Sequence, residues 1–201
     1  LHAQYVLKAL ANNKNVFVEK PLCLTTDELN EIEQAVTSSQ GRLMVGFNRR
    51  FAPLITALKT KLDPNLPKAI NYRINVGKIP TTHWTQDPKI GGGRIIGEAC
   101  HFIDLCSFIA QSPIKSVSAH ALEDANRLND TVSISLAFQN GSVASISYFA
   151  NGSKKLNKEY LEVFSGEQSF VMNDFKLLDE YNSGKKQTKG SGQDKGHALE
   201  L

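Results

Sequence analysis

Two short apolar runs, Val16-Phe17-Val18 and Leu43-Met44-Val45, flank a helical segment, and that arrangement limits the fold more than any other feature of the chain. Runs that are apolar at every position suit strands covered on both faces, as in a parallel sheet packed under helices. Between them, Thr25 and Glu28 form a Ser/Thr-x-x-Glu capping pattern, and helical spacing continues to about Ser38. Ahead of them, Tyr5, Val6, Leu7, Ala9 and Leu10 recur at helical spacing and Asn12 to Asn15 give a polar exit. The opening therefore reads helix, strand, helix, strand, which is a right-handed parallel crossover of an α/β sheet.

The pattern changes after residue 48. "FAPLITALKTKL" reads as a helix ended by Asp63-Pro64, and "KAINYRINVG" as a strand with Ile70, Tyr72, Ile74 and Val76 on one face. "TTHWTQDPKIGGG" is a loop, and "RIIGEACHFIDLCSFIAQ", apolar over most of its circumference, is a buried helix. Strands then dominate, from "KSVSAHAL" to "FKLLDEY", and the Asn140-Gly141 pair signals a hairpin with a type I′ turn. Ser183 to Gly196, rich in Gly and Lys, reads as a flexible loop or linker. The expected fold is α+β: residues 49–201 form an open, mostly antiparallel sheet with helices on one face, truncated at its C-terminus. The last part of a Rossmann-like parallel α/β domain, residues 1–48, precedes it. Both ends read as cut from a longer protein.

With 201 residues and 41% hydrophobic content the chain can bury a real core. A net charge of +3 is too small for a nucleic-acid footprint. No apolar run approaches the roughly 20 residues that span a bilayer, and the N-terminus lacks a secretory pattern, so no membrane partner and a cytoplasmic location are expected. The three cysteines, Cys23, Cys100 and Cys106, lack paired spacing. Cys100, His101, Asp104 and Cys106 would scatter around a helix, so no metal site is expected.

Candidate site residues follow from position. Lys20 falls at the carboxyl end of a strand, where open α/β sheets bind ligands; it is either a solvated lysine or a cation that polarises a substrate hydroxyl. His101 is either a hydrogen-bonded core residue or a base, since an early helical turn favours neutral imidazole. Glu98 and Asp104, three positions either side of it, could orient its ring. Asn48, Arg49 and Arg50 form a basic turn that is either structural or suited to a carboxylate or phosphate on the substrate. Trp84, the only tryptophan, is either a hydrophobic anchor or a platform for a sugar or nicotinamide.

"VFVEKPL", "VGFNRRFAP" and "GGGRIIGEACHFIDL", in that order and at these separations, resemble the Gfo/Idh/MocA family of nicotinamide-dependent oxidoreductases. The wording around Gly97 to Leu105 resembles most closely those members that are fused behind a second dehydrogenase domain. The resemblance implies NAD or NADP as cofactor, met by Glu19, Lys20 and Pro21, with a cis Lys20-Pro21 bond. It implies Lys20 and His101 as the catalytic pair, and a substrate that is a sugar, nucleotide sugar or polyol, positioned by Asn48, Arg49, Arg50, Trp84, Glu98 and Asp104. A homo-oligomer through the open sheet is also implied. Many relatives carry an aspartate where this chain has Gly97, and the resemblance leaves two readings: Glu98 substitutes for it, or the substrate is a nucleotide sugar or other modified sugar instead of an ordinary polyol.

No strand followed by Gly-x-Gly-x-x-Gly opens the chain, and Gly190, Gly192 and Gly196 have no fitting strand before them, so the chain by itself is expected to be inactive. An NAD-dependent glycoside hydrolase of the same family, or a binding and oligomerisation module without chemistry, are the alternatives.

Overall fold

The computed structural model describes residues 1–87, 90, 93–123, 129–190 and 192–201. The opening crossover comprises α1 (His2–Ala11), β1 (Val16–Glu19), α2 (Thr26–Ser38) and β2 (Leu43–Gly46), with β1 and β2 parallel. Thr25 caps α2 by accepting from the Glu28 amide at 3.2 Å, while the Glu28 carboxylate reaches the Leu24 amide at 2.8 Å. Ala3, Val6, Leu10, Val18 and Ile32 bury against one another to hold this unit together.

A short 3₁₀ turn, Asn48–Phe51, leads into α3 (Pro53–Lys59), whose first helical position takes a proline at no hydrogen-bonding cost. There follow β3 (Ala69–Asn75), a π-helical turn at Ile95–Ala99 that runs on into α4 (Cys100–Ala110), then β4 (Ile114–Ala121) and β5 (Val132–Phe138). The remaining elements are β6 (Val143–Phe149), β7 (Glu159–Ser165), β8 (Gln168–Asn173), β9 (Leu177–Asn182), β10 (Lys185–Gly190) and α5 (His197–Glu200).

β3 to β10 form an eight-stranded sheet in the order β10-β9-β8-β7-β3-β6-β5-β4. Among the described residues of this sheet the β3–β6 pair is parallel and every other pair is antiparallel. Alternation puts Ile70, Tyr72 and Ile74 of β3, and Val132, Ile134, Leu136 and Phe138 of β5, on the face that α3 and α4 cover. The opposite face is open. One register row across it reads Ser116, Ala137, Val143, Ala69, Phe164, Ser169, Tyr181 and Lys186.

Two local expectations need correction. Asn140 does not take a positive φ; Gly141 alone does, at 83°, and its amide reaches the Phe138 carbonyl at 3.2 Å, as in a type I turn closed by a glycine bulge. Residues 183–196 are not a linker, because Lys185–Gly190 is an edge strand on β9. Its turn is a two-residue hairpin with Ser183 and Gly184 both at positive φ, 48° and 73°. Backbone pairing sustains that strand without apolar side chains, so hydrophobic periodicity gave no sign of it.

Candidate active site

β1 ends where the apolar run meets charge, and this edge forms one wall of a cavity of about 720 Å³. Glu19, Lys20 and Pro21 line that wall, and Trp84, Arg94 and Glu98 line the same cavity. The Lys20-Pro21 bond is cis. The Pro21 carbonyl accepts from His2 Nδ1 at 2.7 Å, which ties the loop after β1 to α1. Lys20 Nζ donates to the Gly97 carbonyl at 2.9 Å, inside the π-helical turn. The residue that stands in place of an acidic side chain thus meets Lys20 through its backbone, and a π turn is a common device for such re-aiming.

Glu98 is anchored on one side. Its Oε2 accepts from the Tyr148 hydroxyl at 2.9 Å, and Lys158 Nζ stands 3.8 Å away. Burial, followed by the Glu98 charge, pushes the Tyr148 phenol well up, so it remains a donor.

His101 lies behind the cavity wall, 7% exposed, edge-on to Phe47 at 6.1 Å between ring centroids. Its Nδ1 is buried without a hydrogen-bond partner. Burial, then the charges of Arg49 and Lys20, drive its pKa down to about 2, against an opposing pull from Glu159. The imidazole is therefore neutral, and burial rather than the helix terminus is the main cause. Neither Glu98 nor Asp104 orients the ring, contrary to expectation. Asp104 is taken by Arg50, whose Nε donates to Oδ2 at 2.7 Å and whose Nη2 meets Oδ1. Burial raises the Asp104 pKa and Arg50 opposes that rise.

The basic turn also departs from expectation. Asn48 is 3% exposed and donates to the Lys195 carbonyl at 2.8 Å. Arg49 gives its fork to Glu159, and Arg50 gives its fork to Asp104. Arg49 is buried, where a guanidinium without a counter-charge is costly, and Arg50, 40% exposed at its side chain, meets a buried carboxylate, so both forks close on the scaffold instead of facing a ligand. Of the expected site residues, Glu19, Lys20, Pro21, Trp84 and Glu98 share the cavity. Asn48, Arg49, Arg50 and Asp104 brace the helices beside it.

Sequence reading missed Arg94, Tyr148, Lys158, Glu159 and Lys195. Glu159 was legible in principle: it occupies an inward register position of β7 with Leu161 and Val163, where a charge needs a partner. Tyr148 sits on the inward face of β6 and gave no chemical sign. Among the described residues no group of three or more His, Cys, Asp or Glu converges as metal ligands. No helix among them is long and apolar enough to cross a membrane.

A parallel crossover is thus joined to an open, mostly antiparallel sheet, and a lysine at the carboxyl edge of the parallel pair lines a cavity. Residues 67–170 match the model of the GFO/IDH/MocA C-terminal domain, and residues 1–47 match that of the oxidoreductase family with an NAD-binding Rossmann fold. The chain belongs to the Gfo/Idh/MocA oxidoreductase family. It is 30% identical over 164 residues to the uncharacterized oxidoreductase YrbE of Bacillus subtilis, covering 73% of this chain and 45% of that protein. It is 32% identical over 123 residues to the scyllo-inositol 2-dehydrogenase (NAD(+)) of the same organism, covering 59% and 35%. A levoglucosan dehydrogenase solved with NADH and levoglucosan superposes with a TM-score of 0.80 at 21% identity, over 98% of this chain and 60% of that one. The chain spans less than half the length of these two curated relatives.

Proposed function

We propose that the protein is an NAD(P)-dependent dehydrogenase that moves hydride between a nicotinamide and a sugar, nucleotide sugar or polyol. The observation that carries this reading is the cavity: Lys20, at the carboxyl edge of the parallel pair, lines a space of about 720 Å³ together with Trp84 and Glu98. That volume lies within the range of small-molecule sites, and the lining mixes apolar surface with few polar groups, so a nicotinamide and a sugar fit it. Glu19, Lys20, Pro21 and Trp84 would hold the nicotinamide end of the cofactor, which when bound supplies the hydride acceptor or donor.

The chain's own residues then divide the work. Lys20 has three donors and spends one on Gly97, leaving others for the reacting oxygen of the substrate, where its charge favours the alkoxide. His101 stands behind the wall with its pKa near 2, so it would exchange the proton once bound substrate meets its ring and developing negative charge there raises its basicity. Glu98, with Oε2 fixed by Tyr148, presents its remaining lone pairs to substrate hydroxyls. The open sheet face, with Val143 at 50% and Phe164 at 39% exposure in one register row, supports a homo-oligomer.

The test is reduction of NAD⁺ or NADP⁺ by the whole protein over a panel of cyclic polyols, sugars and nucleotide sugars. Net accumulation of reduced cofactor is the expected result. Cleavage of a glycoside with no net reduced cofactor would replace the reading with a redox-neutral hydrolase.

A further inference from the structure

We infer that Arg94 makes the substrate side of this cavity a receptor for an anionic oxygen group, a carboxylate or a phosphate. Arg94 follows the triple glycine, is 5% exposed, and lines the cavity that Lys20 also lines. Its Nη1 donates to the Gly77 carbonyl at 2.9 Å, and its guanidinium carbon lies 5.7 Å from the centre of the Tyr148 ring. These contacts fix the side chain but supply no negative charge. Among the described residues no carboxylate lies within ion-pair distance of it.

Arg49 shows the contrast. It is as deeply buried, 6% exposed, and has both oxygens of Glu159. Glu98, one turn beyond Arg94, does not play that part: Tyr148 and Lys158 are its partners. A buried cation without a counter-ion is costly, and an arginine fork matches a carboxylate or phosphate in two parallel hydrogen bonds. Among the described residues, that leaves the cavity as the source of an anion. With Arg49 and Arg50 closed on Glu159 and Asp104, Arg94 takes over the anion-recognition role that sequence reading gave to the basic turn.

Two ligands carry such a group: a substrate that is a sugar acid or a nucleotide sugar, and the cofactor through its pyrophosphate. The inference rests on the dehydrogenase reading for the kind of ligand, and on Arg94 for the charge. It is tested without turnover, by calorimetric titration of the 201-residue chain with glucose, glucuronate, UDP-glucose and ADP-ribose. Emission from Trp84, the only tryptophan and a cavity residue, reports where binding occurs.

Glucuronate or UDP-glucose should bind at least about tenfold more tightly than glucose, and Arg94→Gln should remove that preference. Arg94→Lys, which keeps the charge and loses the fork, should retain part of it. Preference confined to ADP-ribose and lost in Arg94→Gln supports the anion site and assigns it to the cofactor. Equal binding of glucose and all three anions, no binding of any anion, or an anion preference that survives in a folded Arg94→Gln variant overturns it. Because no hydride moves in these titrations, failure of the dehydrogenase reading leaves their outcome readable.

Discussion

Arg49 donates to both carboxylate oxygens of Glu159, from Nε at 2.9 Å and from Nη2 at 2.8 Å. The pair joins the turn after β2 to the first residue of β7, and Glu159 also receives Lys195 at 2.7 Å and the Tyr72 hydroxyl. Burial alone would raise the Glu159 pKa, but the bonds and charge of Arg49, with Lys195, outweigh it and hold it at about 2. Removing one partner leaves the other buried and uncompensated, so Arg49→Met or Glu159→Gln should each cost about 3–5 kcal/mol in denaturant unfolding. The folded pKa of Glu159 lies below the usual carboxylate value, so its stabilisation is present above pH about 4.5 and is lost as pH falls toward 2. In Glu159→Gln the loss of stability over that window should be shallower than in the parent chain.

His101 gives a second pH signature. Its folded pKa, about 2, lies far below the value of about 6.5 expected of an unfolded chain. The unfolded state therefore binds more protons below that pH, and stability contributed by His101 is lost as pH drops from about 6.5. The imidazole resonances of His101 should stay flat from pH 8 to about 4 in an NMR titration. A midpoint above about 5 would contradict the burial and charge described here. Arg49→Met, which removes the second-largest cause of the shift, should raise the midpoint.

The two glycine turns make a graded pair. Gly141 has φ 83° and open space where a Cβ would go, so Gly141→Ala should cost only the left-handed backbone penalty, roughly 1–2 kcal/mol. Gly196, at φ 86°, would place a Cβ 2.4 Å from the Asn48 carbonyl oxygen and 2.5 Å from the Ala52 nitrogen. Gly196→Ala should therefore cost more, roughly 2–5 kcal/mol, and should loosen the turn that carries Asn48 and Arg49. Parallel urea melts check the order.

The open sheet face predicts assembly. Val143 and Phe164 lie in one register row on either side of Ala69, among Ser and Ala neighbours that let another sheet approach closely. The chain should sediment as an oligomer, and Val143→Glu with Phe164→Glu should convert it to a monomer with little change in unfolding free energy. A monomeric parent chain would remove this part of the account.

The crossover, the covered face of β3 and β5, and Lys20 at a strand end were legible because periodicity and position report burial directly. The ion-pair partners were not. Glu159 lies 110 positions from Arg49, and nothing local in "NRRFAP" says which carboxylate will reach it. Without that pairing Arg49 and Arg50 stayed open between a structural and a ligand-binding role, while Arg94, next to the triple glycine, drew no reading. The edge strand β10 was missed because its side chains are polar on both faces and its pairing resides in the backbone.

The most direct test compares turnover by the whole protein with that of Lys20→Met and His101→Asn, on the substrate that gives the highest rate of nicotinamide reduction. The account predicts that each variant folds and loses about 10²–10⁴ in kcat. Turnover within a few-fold of the parent protein in Lys20→Met would contradict it.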